Sequence, residues 1–340
     1  MATTDTMDNG IDFDDLMDLR VDYAFKLFFG TGETCRLVSL LNAIFENKNI
    51  PRIITDLDVV NPFLERAAVD DKLSILDIRA ELDDGSDACI EMHLYDIDTL
   101  KPKTLRSWAR VYGEELDKGD SYKDQNVVIC IAFMDGAISD AYGNVIERVH
   151  SLYQVMERDE HELLLPDMEL HYIDMKEFAN RYNELGEAYD KLDRFTRWLM
   201  LITHKKIKDK SAIRDIWEDD EMRDAVNTLA ELSKDKIKRQ AYQRRLDNLY
   251  YYNRRLQQIA DKDAALAEKD AAIADMGITI AEKDATIADM GTALTEKDSA
   301  IADMGTTIAD MGTALTEKDS AIAELQAQIA AIKTQNDKSD

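Results

Sequence analysis

Long apolar runs are missing from this chain of 340 residues. None approaches the roughly 20 residues a helix needs to cross a bilayer, so no membrane partner is expected. Cysteine is scarce: Cys35, Cys89 and Cys130 lie far apart with no CxxC pair. Cys89 and Cys130 fall in apolar, strand-like runs, which predicts buried free thiols and a reducing cytoplasm. Histidine is sparse too, and five residues without HxxxH or HExxH spacing exclude the usual zinc motifs. A glycine-rich phosphate loop and a GxSxG elbow are absent, which removes ATP-driven and serine-hydrolase chemistry. The first residues, Met1 to Asp8, lack a basic stretch followed by an apolar core and so do not read as a signal peptide. Positive charge is outweighed, with 42 Lys and Arg against 69 Asp and Glu and a net charge of −27. That balance argues against passive nucleic-acid binding over the whole surface. It leaves room for an enzyme that holds DNA through one basic patch and a divalent metal.

What is present is mixed α/β around a small sheet. Asp15 to Asn47 reads as two helices broken at Gly30-Thr31-Gly32, and Ile53 to Val60 as a strand. Two hairpin strands follow, at about Leu73–Leu82 and Ala88–Tyr95. Lys103 to Leu116 is an amphipathic helix with Leu105, Trp108, Ala109, Tyr112 and Leu116 on one stripe. Val127 to Phe133 is continuously apolar, as expected of a central strand buried on both faces. Met168 to Met175 alternates like an edge strand. The expected organisation is a disordered tail over 1–14, a catalytic-type domain over 15–180, a helical extension over 181–258, a heptad-repeat coiled coil over 259–333 and a disordered tail over 334–340.

The heptad is explicit. From Ile259 to Ile329 an Ile or Leu recurs every seven residues without a slip, and three residues later stand mostly Met or Lys. Such an a/d pattern predicts a left-handed coiled coil and a homo-oligomer. Gly277, Gly291, Gly305 and Gly312 each cost about 1 kcal/mol relative to Ala, and Lys at d weakens the seam. A solitary helix is the competing outcome.

Chemistry concentrates in the hairpin. Asp77 lies on its first strand, and Glu91 and His93 on its second. Glu91 and His93 are two apart and share a face. Two carboxylates on adjacent strands suit Mg²⁺, a hard ion that takes oxygen ligands and keeps several waters. Convergence depends on the turn. A two-residue Asp84-Gly85 turn would set Asp77 opposite Met92, on the wrong face. A five-residue loop, Asp83 to Asp87, would set it opposite His93 and diagonal to Glu91, about 7–8 Å away at Cα. The metal hypothesis therefore requires an odd-length connection or a bulge.

Around this hairpin the chain resembles the Rpn family of recombination-promoting nucleases, or putative transposases, of the PD-(D/E)XK superfamily. The matching pieces run in order: Asp22 to Gly30; Asn42-Ala43-Ile44; Asn61-Pro62; Asp71-Lys72 through Asp77-Ile78; Ile90 to His93; Leu105-Arg106 through Tyr112; and Gly119 through Tyr122. Trp198-Leu199 and Asp224-Ala225-Val226 match its helical region, so the resemblance covers roughly 15–258. It implies a restriction-endonuclease-like mixed sheet flanked by helices. It further implies DNA cleavage dependent on Mg²⁺, or Mn²⁺, linked to recombination or mobile elements. Asp77 and Glu91 would hold metal, and His93 would position the water. The family's usual form is Glu-x-Gln, and the superfamily's third position is usually Lys. Histidine there either orients water or a softer ion, or marks a decayed site.

Other candidates are accessory. Asp22 would approach the site from the first helix or cap that helix, and Arg106 and Lys103 would touch the scissile phosphate or bridge at the surface. Lys236, Lys238, Arg239, Arg244 and Arg245, interleaved with tyrosines, would hold phosphates or form a solvated helix face. Two rival functions stand beside DNA cleavage. One is an inactive nuclease fold used for binding or assembly through its coiled coil; the other is hydrolysis of a nucleotide or RNA at the same site.

Overall fold

The computed structural model describes residues 11–60, 78–95, 97–114, 121–185, 193–209, 216 and 219–336. Asp77, the Asn61-Pro62 and Asp71-Lys72 pieces, Leu116, Gly119 and both expected terminal tails (the first up to residue 10, the second from 337) lie outside them. The chain divides into two compact units, Met1–Arg255 and Leu256–Asp340.

The first unit is built on a sheet of six strands: β1 (Leu57–Val59), β2 (Ile78–Leu82), β3 (Asp87–His93), β4 (Val128–Met134), β5 (His150–Met156) and β6 (Leu163–Asp174). Their order across the sheet is β1-β2-β3-β4-β6-β5. β3, β4 and β6 run parallel at the centre, and β1, β2 and β5 are antiparallel additions. Every residue of β4 is buried, as the apolar run predicts. Met168 to Met175 corrects the edge-strand expectation. β6 is interior because β5, whose mixed polar pattern gave no strand signal, pairs along its outer side.

Alternation along the strands divides the side chains between two layers. One face carries Ile78, Ala80, Ala88, Ile90 and Met92 into the larger core. That core is closed by α1 (Asp22–Phe29), α2 (Cys35–Asn47), α4 (Met175–Leu185), α5 (Arg194–Ile202) and α6 (Asp220–Lys234). α5 contributes Trp198, fully buried, whose indole N–H donates to Ser39 Oγ at 2.9 Å. α1 ends at Gly30, where a Cβ would lie 2.7 Å from the Lys26 carbonyl oxygen, so only glycine fits. The other face, with Cys89, Cys130, Ala132 and Tyr172, is covered by α3 (Leu100–Glu114). Cys89 and Cys130 are buried free thiols paired in register across β3 and β4, while Cys35 is exposed.

α3 keeps the expected stripe in part: Trp108 and Tyr112 pack against the core beneath it. Its buried positions are Leu100, Thr104 and Val111, whereas Leu105 is exposed. Thr104 and Ser107 turn inward, and Leu105 and Ala109 do not.

α7 (Lys236–Asn336) begins in the first unit, where Tyr242 joins the core, and continues as the second. From Leu256 on it is one unbroken helix with its aliphatic heptad positions exposed. No helix among the described residues is long and apolar enough to cross a membrane.

Candidate active site

The hairpin connection decides what the site holds. β2 and β3 pair with Ile78 opposite Ile90, Arg79 opposite Cys89 and Glu81 opposite Asp87. Leu82 N–H donates to the Ser86 carbonyl at 2.9 Å, which leaves three residues, Asp83 to Gly85, as the loop. Gly85 sits at φ +85°, and its N–H donates back to the Leu82 carbonyl at 2.9 Å. Asp84 Oδ1 accepts from the Ser86 N–H at 2.9 Å. Neither the two-residue nor the five-residue connection forms. The loop is nonetheless odd in length.

With that register, Cys89, Glu91 and His93 project under α3. Glu91 and His93 are both 15% exposed. Glu91 Oε2 lies 2.8 Å from His93 Nε2, and Glu91 Oε1 accepts from Ser107 Oγ at 2.7 Å. Burial pushes the Glu91 carboxyl up. The hydrogen bonds from His93 and Ser107, together with the charges of His93 and Lys103, outweigh it and hold the group below the ordinary glutamate value. The result is a half-buried, ionised carboxylate fixed at both oxygens. Its other neighbour is Tyr172, buried opposite Ala132 in the next strands, whose phenol is pushed up by burial despite a hydrogen bond with Thr104.

The strand ends are pinned beside this pair. Asp135 N–H donates to the His93 carbonyl at 3.0 Å, and the Asp135 carboxylate pairs with Arg20 at 3.4 Å and with Lys206. On the β2 side, Arg79 joins Asp87 at 2.8 Å and Glu114 of α3 at 3.3 Å.

The accessory candidates are dispersed. Asp22 is the first residue of α1, after the N-cap Val21: its Oδ1 accepts from the Tyr23 N–H at 2.9 Å and from Arg245 Nε at 2.7 Å, and its Oδ2 from Arg245 Nη2 at 2.5 Å. This pair ties α1 to the start of α7. Arg106 is exposed on α3, next to the inward Ser107. Of the five candidate basic residues at the start of α7, Arg245 is engaged by Asp22, and Arg239 donates to the Asp15 carbonyl and lies 5.9 Å over the Tyr242 ring. Lys236 and Arg244 are exposed and Lys238 is half-buried.

Ser107, Thr104 and Tyr172 are the residues that sequence reasoning missed, whereas Lys103, a candidate beside Arg106, places its charge near Glu91. Their only signal was inverted polarity, with hydroxyl residues at 104 and 107 standing where an amphipathic helix over a sheet normally carries apolar ones.

The model of the PD-(D/E)XK nuclease family transposases matches residues 19–260. The chain belongs to that family. No curated protein and no solved structure matches it. The mixed six-stranded sheet with helices on both faces fits the family's α/β fold, and membership supports a nuclease-type function.

The donors fit a divalent ion in kind. Glu91 supplies ionised oxygen and His93 an imidazole nitrogen, a set compatible with Mg²⁺ or Mn²⁺. Among the described residues no group of three His, Cys, Asp or Glu converges to hold a metal.

Proposed function

We propose that this protein is a divalent-metal-dependent endonuclease that hydrolyses DNA phosphodiesters, with Asp77 and Glu91 as metal ligands and His93 as the residue that orients the attacking water. The observation that carries it is the Glu91 carboxylate, kept ionised beside His93 on a strand face of a PD-(D/E)XK-family chain. The loop between β2 and β3 is odd in length, as the metal hypothesis requires. Such an ion, when bound, polarises the phosphate and lowers the pKa of a water.

The chain's own residues supply the rest. Ser107 holds one oxygen of Glu91, leaving the other toward His93. With Nε2 taken by Glu91, the ring is fixed in orientation. Lys103 adds positive charge at the edge of the site, where a phosphate would enter. DNA would be held by α3 and by the exposed cations Lys236 and Arg244. The link to recombination or mobile elements rests on the family description.

Supercoiled plasmid with Mg²⁺ or Mn²⁺ tests this reading. Nicks are expected, and Glu91→Gln or Asp77→Asn is expected to lower the rate on the order of 100-fold or more, several kcal/mol of stabilisation being lost. One observation favours the rival, an inactive fold serving assembly: both Glu91 oxygens already have partners within the chain. Folded protein that cuts DNA with neither metal establishes that rival, and cleavage of RNA alone moves the substrate.

A further inference from the structure

Along the second unit, the aliphatic a positions from Ile259 to Ile329 are 49–65% exposed on the isolated helix. A continuous stripe of this kind is not a stable surface in water. The d and e positions beside it follow one rule from Lys262 to Asp319. Where d is Lys, the next residue is Asp; where d is Met, the next residue is Gly. There are five Lys-Asp steps and four Met-Gly steps.

These charges have no partners at helical spacing in their own chain. Side chains meet at i±3 and i±4 on a helix. For Lys283 those neighbours are Thr279, Ile280, Thr286 and Ile287; for Asp284 they are Ile280, Ala281, Ile287 and Ala288. The same holds at every Lys-Asp step, because a, b and g are uncharged throughout this stretch.

We infer that the second unit forms a parallel, in-register two-stranded coiled coil with a second copy of this chain, its Lys-d side chains paired with the partner's Asp-e. In a parallel pair the d residues face each other and are flanked by e of the other strand. Each Lys layer then contains two Lys and two Asp and is neutral. Each Met layer is flanked by glycine, which adds no side chain beside the seam. An antiparallel pair brings the e columns together, Asp against Asp, whereas a parallel pair sets e beside the uncharged g column. Two strands rather than three follow from the lysines, whose ammonium groups reach water from the open seam of a dimer. The acidic c column, such as Asp275, Asp289 and Asp303, faces outward in this arrangement and is a built-in control.

The test uses the full chain carrying Cys35→Ser, which removes the exposed thiol. Light scattering is expected to give twice the mass of one chain. Met276→Cys and Met304→Cys, each alone, are expected to form intermolecular disulfides rapidly under mild oxidation with diamide. A mixture of the two variants is expected to give same-position products in preference to 276–304 products. Asp284→Lys with Asp298→Lys is expected to weaken the dimer roughly tenfold or more, while Asp289→Lys with Asp303→Lys leaves it within about twofold. Circular dichroism reports whether the helix persists in each. A single-chain or three-chain mass, a dominant 276–304 cross-link, or equal effects at e and c each overturn the inference.

Discussion

At the scale of the residue, Glu91 and its two partners determine what the site can do. Buried carboxylates normally rise in pKa, yet here two hydrogen bonds and nearby positive charge reverse the direction. Ser107→Ala removes one of those bonds without touching the atoms proposed to bind metal. The Glu91 carboxyl is then expected to titrate higher, and the acid limb of the cleavage pH profile to move up. The rate at neutral pH is expected to fall about tenfold, as for other residues that support a metal ligand. An unmoved acid limb would show that Ser107 only packs. His93→Gln restores the family's usual residue and retains a donor toward Glu91; activity equal to or above that of the unmodified chain is expected if the histidine is drift, and a loss if it orients water. The plasmid assay reads both. Glu91 and His93 were legible in the sequence because their i, i+2 spacing fixes a shared face. Ser107 was not, because a hydroxyl on a helix reads as solvent-facing until the sheet beneath is known to be polar.

At the scale of the element, hairpin geometry and strand neighbours set the stability. Gly85 adopts φ +85° in the three-residue loop, so Gly85→Ala is expected to destabilise by about 1 kcal/mol, seen as a lower melting temperature. Across β5 and β6 the histidines form a buried chain: His150 Nδ1 to Asn47 Oδ1 at 2.8 Å, and His150 Nε2 to His171 Nδ1 at 2.9 Å. Burial, with His171 and Lys48, lowers the His150 pKa from 6.5 to about 2. The unfolded imidazole takes up a proton below pH 6.5 that the folded one refuses. The stabilisation is therefore complete above pH 6.5 and declines on acidification until about pH 2. Between pH 7 and pH 5 His150 alone is expected to remove about 2 kcal/mol. His171, also shifted down by burial, adds to the loss. Denaturant unfolding at the two pH values measures the slope, and His150→Gln should lower it by up to one proton. This window lies above the range where Glu91 and Glu169, both depressed, begin to lose their contributions. The central strand β4 and the helices α1 and α2 were legible from apolar run and period. β5 was not, since His150, Ser151 and Gln154 break the alternation, and the interior place of β6 was lost with it.

At the scale of the whole molecule, the heptad was plain in the sequence, but its orientation was not, because a and d alone are compatible with either direction. The e column supplies that information once Lys at d is seen to have no partner on its own helix. A parallel pair begins both tails at one end, so the two nuclease-type units are carried on the same end of the dimer. Tethering of that kind raises the effective concentration of the second site to the millimolar range without new contacts. The consequence concerns the order of products. If both proposals hold, the full chain should convert supercoiled plasmid to linear DNA early in the time course, each unit cutting one strand. A chain ending at Arg255, which retains the first compact unit, should give nicked circles first and linear DNA only after these accumulate. The ratio of linear to nicked product at low conversion separates the two cases on an agarose gel. Equal ratios would mean that the tail assembles the protein without coupling its cuts. A full chain carrying the Asp284→Lys and Asp298→Lys substitutions should behave like the shortened one, since it keeps every residue of the first unit and loses only the seam.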